Sequence, residues 1–214
     1  MLITFEGLDF SGKSTQAQRL ANRLTREGFR VLVVREPGGT AIGERIRSVL
    51  LDKSFTGMTD TAELFLFSAS RAQLVNDVIR PALNRGTVVV CDRFYDSTTA
   101  YQGWGRGLPP DAVQTVNNLA TGGLQPSLTI FLDVPVDVLE ARARAAGSGK
   151  DRMESNGHAF YDRVRRGYLA LAQAENRFVV VRGDQSESEL EVEIWNLVEP
   201  RIAGNVRLSR SEER

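Results

Sequence analysis

Gly7, Leu8, Asp9, Phe10, Ser11, Gly12, Lys13, Ser14 and Thr15 follow directly on the apolar run Leu2, Ile3, Thr4, Phe5. They fit the spacing G-x-x-x-x-G-K-[ST], a loop whose backbone N–H groups turn inward on a polyphosphate. A helix starting at the end of that loop aims the positive end of its dipole at the same charge. Lys13 supplies a point charge, and Ser14 a hydroxyl for Mg²⁺. The plainer alternative is a glycine turn between a strand and a helix. A second pair, Asp92-Arg93, follows another apolar run and places an acid at a strand end near the metal. Hydrolytic motors with this loop want a further acid beside that aspartate to orient a water. Arg93 polarises no water, so a transferase that protects its ATP suits the pair better, with a strand-end salt bridge as the plainer reading. An Asn-Lys-x-Asp base-reading motif is missing, which argues against a GTPase switch. Phe67 and Arg71 lie four apart, so on a helix a ring and a planar donor fork share one face.

The elements that must hold these groups are legible as period and composition. Five short β-rich runs recur, Leu2 to Phe5, Phe29 to Val34, Thr87 to Cys91, Leu128 to Leu132 and Phe178 to Val181. Each is nearly continuously apolar, the pattern of parallel strands covered on both faces. Helical spacing follows the loop at Ala17, Leu20, Ala21 and Leu24. It predicts a long amphipathic helix over Thr61 to Leu83, its apolar face carrying Phe65, Leu66, Ala69, Ala72, Val75, Val78, Ile79 and Ala82. Further helices are expected over Asp111–Ala120, Pro135–Ala145, His158–Ala174 and Glu187–Val198. The alternation gives an α/β, doubly wound fold, with ligands outside the carboxyl ends of the strands. Glycine clusters at 37–39, 103–107 and 147–149 read as loops there.

With 214 residues the chain suits one domain, taken as residues 1–202, followed by a polar tail over 203–214 that reads as a frayed end. Lys plus Arg and Asp plus Glu each number 27, so no wholesale nucleic-acid or membrane binding is expected and any cationic site must be local. The single cysteine, Cys91, lies in a buried-strand pattern and reads as inert packing. No apolar run approaches the ~18 residues of a membrane span, and a cytoplasmic protein is expected. The one histidine, His158, follows Asn156-Gly157 at a helix start and reads as a surface or capping residue.

Taken with the phosphate loop, the segments Arg35-Glu36-Pro37-Gly38-Gly39-Thr40, Asp92-Arg93-Phe94 and Ala100-Tyr101-Gln102-Gly103 make the chain resemble the bacterial thymidylate kinases, colinearly from Leu2 to about Pro200. The resemblance implies a P-loop NTPase-type three-layer fold with a five-stranded parallel sheet flanked by helices. It implies transfer of the γ-phosphoryl of ATP to thymidine 5'-monophosphate with Mg²⁺, commonly in a homodimer. The rivals are another small deoxynucleotide or deoxynucleoside kinase, or a noncatalytic nucleotide-gated dimer. By the same resemblance Phe67 stacks on thymine while Arg71 and Gln102 bond to it. Tyr101 closes on the deoxyribose, Ser97 and Thr98 line that pocket, and Arg35, Arg93, Glu36 and Arg47 surround the acceptor phosphate. Taken singly, Phe67 reads as core, and Ser97 and Thr98 as helix-start hydroxyls. By the resemblance Asp9 turns toward the sugar or a metal-bound water; taken singly it is a surface carboxylate near a helix N-terminus.

The resemblance also implies a lid over about residues 142–154 that carries Arg142 and Arg144 toward adenine and Arg152 toward the transferring group, with Lys150 in the same basic stretch and Glu154 facing the acceptor. Taken alone, this charge-rich stretch is a mobile loop. The family has two kinds, one with a catalytic arginine in the phosphate loop and one with its arginines in the lid. Phe10 stands at the loop position, so the chain resembles the second kind, which usually carries glycine there. If that position needs positive φ, a bulky residue stores about 1–3 kcal/mol of strain. Phe10 is then expected to pack beneath or beside the lid. With an acceptor phosphate already ionised near neutral pH, catalysis rests on positioning and charge neutralisation. Catalytic roles therefore fall to Lys13, Asp9, Arg93 and Arg152, and Mg²⁺ to Ser14 and Asp92.

Overall fold

The computed structural model describes residues 1–147, 152, 153 and 156–211, with side chains as far as residue 202. Five strands, β1 (Leu2–Glu6), β2 (Val31–Arg35), β3 (Val88–Asp92), β4 (Leu128–Asp133) and β5 (Phe178–Arg182), form one sheet. Its order is β2-β3-β1-β4-β5, and every pairing is parallel. Thr4 of β1 sits between Cys91 and Thr129 in register, so the strands finish together. All five end on a charged residue, Glu6, Arg35, Asp92, Asp133 and Arg182, and that polar rim is where a ligand can be met.

Period-two alternation divides the core. Ile3, Phe5, Val90 and Ile130 face α1 (Lys13–Arg26) and the long C-terminal helix through Leu20, Leu24, Ile194 and Trp195. Leu2, Val89 and Cys91 face the other way, against Leu74, Val75 and Ile79. Beyond the rim a third cluster joins Leu8, Phe131, Phe160, Val164 and Tyr168. The chain order of the remaining helices is α2 (Ala41–Leu51), α3 (Asp60–Leu74), α4 (Arg80–Asn84), α5 (Tyr95–Thr98), α6 (Pro110–Thr121), α7 (Val136–Ala146), α8 (His158–Ala174) and α9 (Glu187–Ser211).

Several expectations need correction. Only the three inner strands are covered on both faces; β2 and β5 are edge strands, with Val33 and Val180 exposed. The long helix exists as α3, a π-helical turn over Val75–Ile79, and α4, but its buried face begins with Glu63, Leu64, Ser68 and Arg71. Phe65 is 56% exposed, and Ala69 and Ala72 lie outside with it. Polar side chains occupy the inner face because it borders a cleft as well as the core. Gly103 and Gly105 are not in a loop either: α5 continues into a π-helical stretch over Thr99–Gly105. A Cβ at residue 105 would meet Phe160 at 2.7 Å, so glycine there admits α8. Finally, helix α9 runs through Pro200 to Ser211, so the backbone continues as helix into the segment expected as a frayed tail.

Candidate functional site

Gly7 has φ 142°, and a Cβ on it would meet the Leu132 carbonyl oxygen at 2.8 Å, so only glycine lets β1 turn into the loop. Gly12, at φ 92°, ends the loop as the N-cap of α1, and no side chain caps that helix. Its first N–H groups are left for an anion. Lys13 folds back over the loop and donates to the Leu8 carbonyl at 2.8 Å, 3.9 Å from Asp9 Oδ1. Burial, assisted by Arg93, brings its ammonium down to about 8. Ser11 is buried and its hydroxyl has no partner among the described residues; Ser14 and Thr15 are exposed. The Ser14 hydroxyl donates to Asp92 Oδ2, while Asp92 Oδ1 is buried without a partner among the described residues. A hydroxyl beside an unsatisfied carboxylate oxygen is a donor set that fits Mg²⁺, which takes one or two carboxylates plus substrate phosphates.

Arg93 is the hub of the site. One nitrogen, Nη2, donates to Asp9 Oδ1 at 2.7 Å and to the Tyr101 hydroxyl at 3.3 Å; the other, Nη1, donates to the Gly7 carbonyl at 2.9 Å and to Ser97 Oγ at 3.1 Å. Its backbone has φ 71° and that of Phe10 has φ 64°, the two non-glycine residues in this region among those described. Each stores about 1–3 kcal/mol, held by the surrounding contacts. Phe10 thus has the backbone expected of it, and its ring packs against the cluster that includes Leu139 of α7. Burial pushes the Asp9 carboxyl up, but Arg93 and Lys13 outweigh this and hold it below the usual range.

One cavity of about 210 Å³ gathers Asp9, Lys13, Ser14 and Asp92 with these residues expected around the acceptor: Arg35, Glu36, Arg47, Phe67, Arg71, Arg93, Ser97, Thr98, Tyr101 and Gln102. Arg35 and Arg47 both donate to the Pro37 carbonyl at 3.0 Å, and Glu44 holds the far side of Arg35. Arg71 is 1% exposed and donates to Glu36 at 2.7 Å, to Asn117 at 3.4 Å and to the Phe94 carbonyl at 3.3 Å. Burial pushes the Glu36 carboxyl up to about 7 against the pull of Arg71, and its Oε1 has no partner among the described residues. Ser97 is not a capping hydroxyl: it donates to Glu6 at 2.6 Å, and α5 has no side-chain cap.

The lid residues are less gathered. Arg142 donates to the Phe10 carbonyl at 3.2 Å and to the Gly183 carbonyl at 3.0 Å, tying α7 to the loop. Arg144 lines a neighbouring cavity of about 510 Å³ with Phe10, Leu139 and Tyr161. Arg152 does not line the first cavity; it donates to the Leu50 carbonyl at 2.7 Å and pairs with Glu63 at 2.7 Å. Lys150 and Glu154 lie outside the described residues.

Among the described residues, sequence reasoning missed three buried acids, Glu6, Glu63 and Asp96, the last paired with Arg177 at 2.7 Å. Glu6 accepts from the Phe94 N–H, Ser97 and Tyr168 at 2.7, 2.6 and 2.9 Å. Burial, with Asp96 adding, pushes it up to about 7. An acid closing an otherwise apolar strand was the signal available. Glu63 gave none, because an acid in a helix's first turn is ordinary.

The family model for thymidylate kinase matches residues 5–194. A thymidylate kinase of Geotalea daltonii is 47% identical over 210 residues, covering 95% of this chain and 98% of that protein. One from a Synechococcus species is 50% identical over 208 residues, covering 96% and 98%. The crystal structure of thymidylate kinase from Ehrlichia chaffeensis superposes with a TM-score of 0.75 at 32% identity, over 92% of this chain and 98% of that one.

Proposed function

This chain belongs to the thymidylate kinase family, and on that premise we propose how its residues carry the reaction. The protein transfers the γ-phosphoryl group of ATP to thymidine 5'-monophosphate, giving thymidine 5'-diphosphate and ADP. One observation carries the assignment of parts: Asp9, Lys13 and Ser14 of the phosphate loop open on the same cavity as Arg35, Glu36, Arg47, Phe67, Arg71 and Gln102.

Lys13 and the N–H groups of Gly7 to Thr15 hold the donor phosphates, with Arg142 and Arg144 toward adenine. Arg93, fixed by Gly7, Ser97, Tyr168, Asp9 and Tyr101, neutralises charge between donor and acceptor, and Asp9 keeps it aimed. Arg35, Arg47 and Glu36 frame the acceptor phosphate, Tyr101, Ser97 and Thr98 the sugar. Phe67 stacks on thymine, a contact of about 1–3 kcal/mol that any base would make, so Arg71 and Gln102 supply the choice. Arg152 leaves Glu63 for the transferring group. Ser14 and Asp92 would hold Mg²⁺, which shields the phosphate oxygens when bound.

Residues 1–202 act as one kinase domain, in the cytoplasm where both nucleotides are substrates; no described helix is long and apolar enough to cross a membrane. A homodimer is supported by large apolar side chains left exposed on neighbouring helices, Ile42 of α2, Phe65 of α3 and Leu119 of α6, at 55, 56 and 77% exposure. The test is ADP release from ATP and Mg²⁺ against a panel of nucleoside monophosphates. Turnover is expected to be highest with thymidine monophosphate; faster turnover with another acceptor overturns the assignment.

A further inference from the structure

Glu63 stands in the first turn of α3, 1% exposed and outside the lining of the acceptor cavity. It is nonetheless the acceptor of a buried network. Gln102 Nε2 donates to its Oε1 at 2.9 Å. Arg106 donates to both oxygens at 3.1 Å, and Arg152 reaches Oε2 at 2.7 Å. Although burial pushes Glu63 up, Arg106 and Gln102 outweigh it and hold the carboxyl below its usual value, so it is ionised.

An ionised carboxylate only accepts, whereas an amide has one accepting end and one donating end. Gln102 must therefore turn its NH₂ to Glu63, because the flipped amide would set its oxygen against a buried anion. Its Oε1 accepts no hydrogen bond from the described residues, and Gln102 borders the cavity. We infer that Glu63 is a specificity-determining positioning residue: through Gln102 it fixes an acceptor toward the base, so that the site reads the N3–H of thymine and opposes the bare N3 of cytosine. This rests on the reading of Gln102 as a base contact. Glu63 touches no substrate; it also holds Arg152, but its effect on the choice of base passes through the amide.

The test uses ratios of kcat/KM between acceptors on one preparation, so that loss of active protein cancels. Glu63→Gln keeps the volume but can donate or accept, freeing Gln102 to flip. The preference for dTMP over dCMP is expected to fall roughly tenfold, the scale of one mismatched buried polar contact. The preference for dTMP over dUMP stays within about twofold, since both bases carry N3–H and the polarity readout is blind to the C5 methyl. Glu63→Asp, which keeps the acceptor-only group, retains the dCMP ratio. Should E63Q give too little folded protein, Glu63→Met removes the acceptor and is expected to move the ratio the same way. Gln102→Leu separates the two readings. If it leaves the dCMP ratio unchanged, the base contact itself is wrong; if it lowers the ratio while E63Q does not, the role of Glu63 is refuted. Adding E63Q to Q102L is expected to change nothing more, and a further fall would also refute action through Gln102.

Discussion

Binding of ATP at alkaline pH should draw a proton onto Lys13. In the unliganded protein burial holds its ammonium at about 8, so at pH 8.5 only about a quarter of the molecules carry the charge. A bound polyphosphate favours the cation and raises that value. The complex then binds more protons than the free protein, and binding takes up about 0.75 proton at pH 8.5, falling toward zero near pH 6.5. The same sign makes affinity fall as pH rises through the free value, by up to tenfold per unit, about 1.4 kcal/mol. Groups held near 7, such as Glu36 and Glu6, are ionised by then and add little. Calorimetric titration of ATP without acceptor, in buffers of different ionisation enthalpy, reads the proton number as a slope. Lys13→Arg, charged throughout, should give a slope near zero. A flat response in the wild type at pH 8.5, or proton release, would refute the reasoning from burial.

Arg71→Ala should raise the KM for thymidine monophosphate far more than that for ATP. It also strands Glu36 as a buried, unpaired acid, so a loss of about 3–5 kcal/mol in denaturant titration is expected; equal effects on the two KM values would count against base reading. Phe10→Gly relieves the φ of 64° but removes the ring from the cluster beside α7, so the opposing terms should leave stability within about 1 kcal/mol while kcat changes. An unchanged rate would sink the idea that this ring works with the lid.

The strands and the phosphate loop were legible in the sequence because both are local: a run of β-branched residues, and glycines at a fixed interval. The positive φ of Phe10 was legible too, from the glycine usually standing there, whereas that of Arg93 was not, since its backbone is held by the Phe5 carbonyl and by distant partners. The face of α3 was misread for a reason of tertiary arrangement. Phe65, Ala69 and Ala72 have the period of a core stripe, but that stripe is open, and the inner face carries buried Ser68 together with Glu63 and Arg71, which are held by other elements. Likewise, Gly103 and Gly105 looked like loop residues because helix propensity ignores Phe160, for which Gly105 makes room.

The central mechanistic claim is that Arg152 of the lid joins Arg93 in neutralising the charge in flight, since the loop offers Phe10 in place of an arginine. Single-turnover transfer with saturating ATP and thymidine monophosphate, wild type against Arg152→Ala, measures it directly. An arginine acting on the transition state is worth about 10³–10⁵ in rate, so a loss of that order with acceptor binding little changed is predicted. A transfer rate within a few-fold of wild type would contradict the account.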